Sequence, residues 1–253
     1  MILGTKYPLS AKGNKPLIFL GINTSGPIHL GHVVLFAIAE SLAKIYKNRA
    51  VVSVNEIESA CVFGDNLKTI YESREQLTAF LSGRGFLVHS RIKDPDLVLF
   101  ALKIWQILEK KKMGDSSAER LALAMMVAAP LFVAMAEGSD SVLLVYGQDQ
   151  AKNLEAVLKI YKSKWFDLEV KKSFDRKVPK INYLLIRSLP DMTNSKKMSK
   201  SSLKGVITFE EIKEDTKLTK PILKYLNNLI EVLGPTEGAL ANVWLSDVSK
   251  MIF

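Results

Sequence analysis

An apolar run, Leu17-Ile18-Phe19-Leu20, leads through Gly21 and a turn containing Thr24, Ser25, Gly26 and Pro27 to His29-Leu30-Gly31-His32. A helical apolar pattern then follows at Val33, Val34, Phe36, Ile38, Ala39 and Leu42. That order predicts a buried strand, a tight turn and the N-terminus of a helix from about Leu30 to Tyr46, the first unit of a parallel sheet. A turn of this kind suits an anion, because free backbone N–H groups and the positive end of the helix dipole converge on it. Gly26 and Gly31 allow a ligand close to the backbone. His29 and His32, two of only three histidines in the chain, can hydrogen-bond a phosphate.

The pattern repeats along the chain. A strand at Ala50–Val54 is followed by a loop over 55–66 and a helix through Leu67–Ser82, and Gly83-Arg84-Gly85 then breaks the chain. Phe86-Leu87-Val88 reads as a short strand, 96–110 as a helix and 113–117 as a polar loop. Next come a helix over 120–136, a strand at Ser141–Tyr146 and a helix at Lys152–Tyr161. Strands alternating with helices predict an α/β fold, a doubly wound, Rossmann-like parallel sheet. The organisation expected is a catalytic domain over 1–205, with inserted helices around 65–120, and a short helical segment over 206–253.

The chain has 253 residues, 48% of them hydrophobic, which is enough for a full α/β core. Its one cysteine, Cys61, excludes an internal disulfide and reads as a small buried residue. The apolar stretch from Leu121 to Ala136 is interrupted by Pro130 and reads as a buried core helix too short to span a bilayer. No membrane partner or cleaved signal is expected, and the expected location is the cytoplasm. A formal charge of +9 suits a polyanionic partner, although Lys110-Lys111-Lys112 and Lys171-Lys172 also fit simple solvated faces.

Two further segments carry chemistry. Tyr146-Gly147-Gln148-Asp149-Gln150 stands at the C-terminal end of a strand, where doubly wound sheets bind ligands. Asp149 can accept from a ribose diol, and Gln150 offers a donor and an acceptor to amino and carboxylate groups. As a plain alternative, Asp149 would cap the following helix and Gln150 would be merely exposed. Far downstream, Lys197-Met198-Ser199-Lys200-Ser201 supplies two cations to a loop.

His29-Leu30-Gly31-His32 and Lys197-Met198-Ser199-Lys200-Ser201 resemble the HIGH and KMSKS signatures of class I aminoacyl-tRNA synthetases. From about Pro16 to Phe209 the order and spacing are similar to the tryptophanyl/tyrosyl branch, closest to tryptophanyl. Tyr146–Gln150 resembles its G-x-D-Q loop, and Ser188-Leu189-Pro190-Asp191-Met192-Thr193 leads into the second motif. The resemblance implies activation of an amino acid, tryptophan or tyrosine, with ATP and Mg²⁺, followed by aminoacylation of tRNA. It implies catalytic roles for His29, His32, Lys197 and Lys200. ATP contacts would come from Thr24, Gly26, Gly31, Gly147, Asp149, Ile186, Met198 and Ser199, and amino-acid contacts from Gln150, Met126 and Ala129. No resident metal ligands are implied. The branch also implies a homodimer, with the helix near Trp105 as a contact.

Departures from the branch bear on the substrate. The helix before the G-x-D-Q strand carries Val127-Ala128-Ala129-Pro130 where an aspartate usually reads the side chain, and Asn55-Glu56-Ile57-Glu58 replaces Asp-x-His. Asn153 stands where a histidine is common, and only residues 202–253 follow the second motif. A nucleotidyltransferase activating another small carboxylate without tRNA, and a non-enzymatic binding paralogue, are the alternative readings.

Overall fold

The structure is a computed structural model that describes residues 2–5, 15–24, 26 and 28–186. Strands β2 (Leu17–Asn23), β3 (Ala50–Asn55) and β5 (Ser141–Gly147) are apolar along nearly their whole length and buried on both faces. Such strands can pair only in the middle of a parallel sheet covered by helices on both sides. The described sheet has six strands in the order β1-β6-β5-β2-β3-β4, where β1 is Ile2–Thr5, β4 is Leu87–Ser90 and β6 is Lys180–Ile186. All the pairings are parallel except β1 with β6. In chain order the five parallel strands run 3-2-1-4-5, the doubly wound arrangement, with a reversal of strand order beside β2.

Helix α1 (Leu30–Tyr46) and helix α3 (Leu67–Ser82) cover one face. There Ile18, Leu20, Val52, Val54, Leu143 and Val145 pack against Val33, Phe36, Leu81 and Phe86. The other face, carrying Leu17, Phe19, Val51, Val142 and Leu144, packs against α4 (Pro95–Lys111), α5 (Ser117–Ala136), α6 (Ala151–Tyr161) and α7 (Lys164–Phe174). Alternate strand residues serve alternate faces, so truncating Phe19 or Phe36 to Ala would open a cavity in one core only, at a cost of about 3–5 kcal/mol.

Several expectations need correction. Residues 55–66 are not all loop, since α2 (Glu56–Cys61) fills half of the stretch. Cys61 is exposed, because this six-residue helix ends at the surface beside the exposed Val62 and Phe63. Helix α5 starts at Ser117 rather than Arg120, since the Ser116 side chain accepts from the Glu119 N–H and fixes an earlier first turn. It continues through Pro130 for 20 residues, long and apolar enough by length and composition to cross a membrane. Its run from Leu123 to Leu131 is nevertheless buried in the core, and the Tyr161 hydroxyl donates to the Val127 carbonyl at 2.6 Å just before the proline. Residues 187–253, including the whole 206–253 segment, lie outside the described residues.

Candidate active site

The strand reversal beside β2 opens a cleft of about 1160 Å³ at the C-terminal ends of the parallel strands. His29 is the N-cap of α1, and no acidic residue stands in that helix's first turn, so the helix itself sets no carboxylate against the positive end of its dipole. The His29 and His32 rings stack with centroids 3.8 Å apart, and the His29 backbone N–H donates to His32 Nδ1 at 3.2 Å. An imidazole that accepts at Nδ1 carries its proton on Nε2. Both rings and Gly31 line the cleft. A Cβ on Gly31 would stand 2.9 Å from His29 Cε1, so the glycine lets the first imidazole lie over the helix start. Gly26 has φ 135°, a conformation that favours glycine.

On the opposite wall, a turn of 3₁₀ helix at Gln148–Gln150 carries the strand β5 into α6. Gln150 Nε2 donates to Asp149 Oδ2 at 3.1 Å, and Asn153 Nδ2 donates to Gln150 Oε1 at 3.0 Å. Asp149 is exposed and does not cap α6, whose N-cap is Gln150 with no side-chain cap bond. A Cβ on Gly147 would collide with Asp149 Oδ1 at 2.6 Å. The β5–β6 register sets Gly147 beside Ile186, and all four of Gly147, Asp149, Gln150 and Ile186 line the same cleft as the histidines. Two segments some 115 positions apart in sequence therefore face one cavity.

At the level of sequence, no protein-family model and no curated protein matches the chain. Solved structures match it in fold. Tryptophanyl-tRNA synthetase from the hyperthermophilic archaeon Aeropyrum pernix K1 superposes with a TM-score of 0.58 at 15% identity, over 78% of this chain and 55% of that one. The tryptophanyl enzyme from Giardia lamblia gives 0.61 at 14%, over 95% and 78%. Tyrosyl-tRNA synthetase from Aeropyrum pernix gives 0.60 at 14%, over 96% and 85%. This chain has the tryptophanyl/tyrosyl-tRNA synthetase fold. It spans about half the length of the first of these enzymes.

Within this synthetase fold, the remaining residues singled out in the sequence fall in three groups. Met126 of α5 lines the cleft, whereas Ala129, one turn on, is fully buried in the helical core and does not reach it. Thr24 is buried, and its N–H donates to Ser59 Oγ at 2.9 Å, which ties the turn to α2 instead of opening it to the cleft. Lys197, Met198, Ser199 and Lys200 lie outside the described residues.

Sequence reasoning missed a polar group at the cleft floor. Asn55 and Glu58 line the cleft, and Glu58 pairs with Arg91, which is wholly buried. Glu56 accepts from the Arg91 backbone N–H at 3.2 Å and from the Ser90 hydroxyl. Burial pulls the Arg91 guanidinium down to about 10, against the opposing pull of Tyr146 and Glu56. Burial likewise pushes the Tyr146 hydroxyl up to about 12, with Arg91 acting the other way. In the sequence Asn55-Glu56-Ile57-Glu58 is a departure from Asp-x-His, and Ser53 is polarity in a strand, but nothing in it points to Arg91.

The third histidine completes a linear set, with His89 Nδ1 3.4 Å from Ser53 Oγ and His89 Nε2 3.2 Å from Asp94 Oδ2. Its composition is that of a hydrolytic triad, but Ser53 is fully buried and its oxygen already accepts from Arg91 Nε at 3.0 Å. That oxygen is committed to Arg91, and Asp94 also caps α4 through Leu97 N–H at 3.0 Å. The set is structural.

Proposed function

We propose that this chain activates an amino acid with ATP, forming an aminoacyl-adenylate. One observation carries the reading: the stacked His29 and His32 at the mouth of α1 and the Gly147–Gln150 turn face one cleft across the strand reversal. The triphosphate lies against the α1 N-terminus, where the backbone N–H groups and the imidazoles donate to phosphate oxygens. Asp149 accepts from the ribose, Ile186 lies against the adenine, and Gln150 holds the amino and carboxylate groups of the amino acid. ATP is the substrate, and Mg²⁺ enters with its phosphates.

The reaction needs no protein nucleophile. An oxygen of the substrate carboxylate attacks the α-phosphorus, a new O–P bond forms, and the bond to the bridging oxygen breaks as pyrophosphate leaves. The protein positions the reactants in line and stabilises charge building on the phosphates. Lys197 and Lys200 are assigned to the departing pyrophosphate by their motif. Lys197 follows Ile186 by only eleven positions, so it is tethered to a residue that itself lines the cleft. A chain of that length can extend about 36–40 Å, ample to reach the phosphates. The formal charge of +9 supports tRNA as the acceptor of the activated amino acid.

The test is amino-acid-dependent exchange of pyrophosphate into ATP across the twenty amino acids. Exchange with one or a few is expected, and Lys200→Ala should lower turnover by about 10²-fold or more while leaving ATP affinity nearly unchanged. No exchange with any amino acid, or full turnover in Lys200→Ala, overturns the proposal.

A further inference from the structure

The sheet face that packs on α5 is apolar at Leu17, Phe19, Val51, Val142 and Leu144, then becomes polar at the strands' C-terminal ends. By strand alternation the positions that continue this face are Gly21, Ser53, Asn55 and Tyr146. Arg91, delivered by the turn after β4, lies beneath them with no exposed surface. Its Nε donates to Ser53 Oγ, its Nη1 donates to the Glu58 carboxylate, and its Nη2 has no hydrogen-bond partner among the described residues. Asn55 Oδ1, Glu58 Oε2 and the Tyr146 hydroxyl are also buried with no partner among the described residues. These four atoms belong to one place. A Cβ on Gly21 would stand 3.3 Å from Asn55 Nδ2 and 3.5 Å from Arg91 Nη2, Glu58 is paired with Arg91, and Tyr146 lies close enough to feel the guanidinium charge.

Buried polar groups in folded proteins are almost always hydrogen-bonded, and unmet ones are costly. Four such atoms, one on the guanidinium itself and three on residues that line the cleft, mark a recognition surface. We propose that this polar end of the sheet face is the subsite for the substrate's side chain, and that it selects a neutral group that both donates and accepts, a hydroxyl or a carboxamide. Arg91 Nη2 and the Tyr146 hydroxyl donate to such a group, and Glu58 Oε2 and Asn55 Oδ1 accept from it. An apolar side chain leaves all four unmet. A carboxylate meets Glu58 and Glu56, and an ammonium meets Arg91. Glu58 thus takes the part of the side-chain-reading carboxylate that α5 lacks at Val127–Pro130, and Arg91 both donates to the substrate group through Nη2 and holds Glu58 in place through Nη1. Gly21 keeps the space open.

This proposal rests on the amino-acid reading of the cleft, but binding tests it independently of catalysis. Isothermal calorimetry with the whole chain, in the presence of ATP, would compare matched free amino acids: tyrosine against phenylalanine and asparagine against leucine. The polar member of at least one pair should bind tenfold or more tightly, because a site built to hydrogen-bond rejects the analogue lacking the group. Tyr146→Phe should cut that ratio by about tenfold, whereas a purely structural role would weaken both members alike. Glu58→Gln should do the same, and if loss of the partner to Arg91 prevents folding, Tyr146→Phe decides alone. Tighter binding of phenylalanine, leucine or tryptophan, an unchanged ratio in Tyr146→Phe, or no binding of any amino acid overturns the subsite. Selective binding without pyrophosphate exchange would sink the activation reading alone, and exchange driven by an apolar amino acid would sink the subsite alone.

Discussion

Gly31 separates stability from function at a single position. It is the second residue of α1, where alanine is the better helix former by about 1 kcal/mol. The added methyl would press on His29 at 2.9 Å and displace a ring that faces the cleft. Gly31→Ala should therefore unfold at the same or a higher urea concentration while binding ATP at least tenfold more weakly, as calorimetry would show. The buried tyrosines make a second residue-scale prediction. Burial raises Tyr146 to about 12 and Tyr161 well above 10, Tyr161 with help from Tyr146. A phenol with a raised folded-state pKa contributes stability that is intact below its unfolded value near 10 and is lost as pH climbs past it. Arg91, lowered to about 10, works oppositely above that value, since the unfolded chain then holds the extra proton. Two phenols oppose one guanidinium, so stability should fall as pH rises above 10. Ultraviolet titration should show Tyr146 and Tyr161 ionising only as the chain unfolds, and a Tyr146 that titrates near 10 in the folded protein would contradict its burial.

At the scale of elements, legibility followed period and length. The strands β2, β3 and β5 were plain because their runs are largely apolar, and α1, α3 and α4 because their patterns persist over 16 residues or more. Helix α2 is too short for periodicity to register, and its Glu56 and Glu58 fall within the loop read over 55–66. Their partners, Ser90 and Arg91, come from the turn after β4, more than thirty positions away, so no local pattern could reveal that these carboxylates are buried. The motif at His29–His32 was readable because it sits within one turn, and the placement of Gln150 and Ile186 opposite it required the strand order. Helix α5 illustrates how tertiary packing overrides a local breaker. Pro130 cannot donate to the Met126 carbonyl, yet the helix persists in the core with Tyr161 bonded to Val127. Tyr161→Phe should lower stability by about 1 kcal/mol in urea unfolding, and no loss would show that this bond contributes nothing to holding the helix across the proline.

For the molecule as a whole, the sheet sets two dry cores apart and leaves its working end where they meet solvent. A sheet face that ends in Gly21, Ser53, Asn55 and Tyr146 forgoes cohesion there in exchange for recognition. Any small molecule that satisfies those groups joins only the native state, so at a hundred times its dissociation constant it should add about 2.7 kcal/mol to the unfolding free energy. ATP together with the cognate amino acid should raise the melting temperature further than either alone, and a scanning-calorimetry trace unmoved by both would refute the cleft as their site. Melting curves thus offer a route to the natural ligand that does not depend on knowing the reaction. Compounds found that way would act as chemical chaperones, rescuing destabilised variants of this chain even where turnover has been abolished.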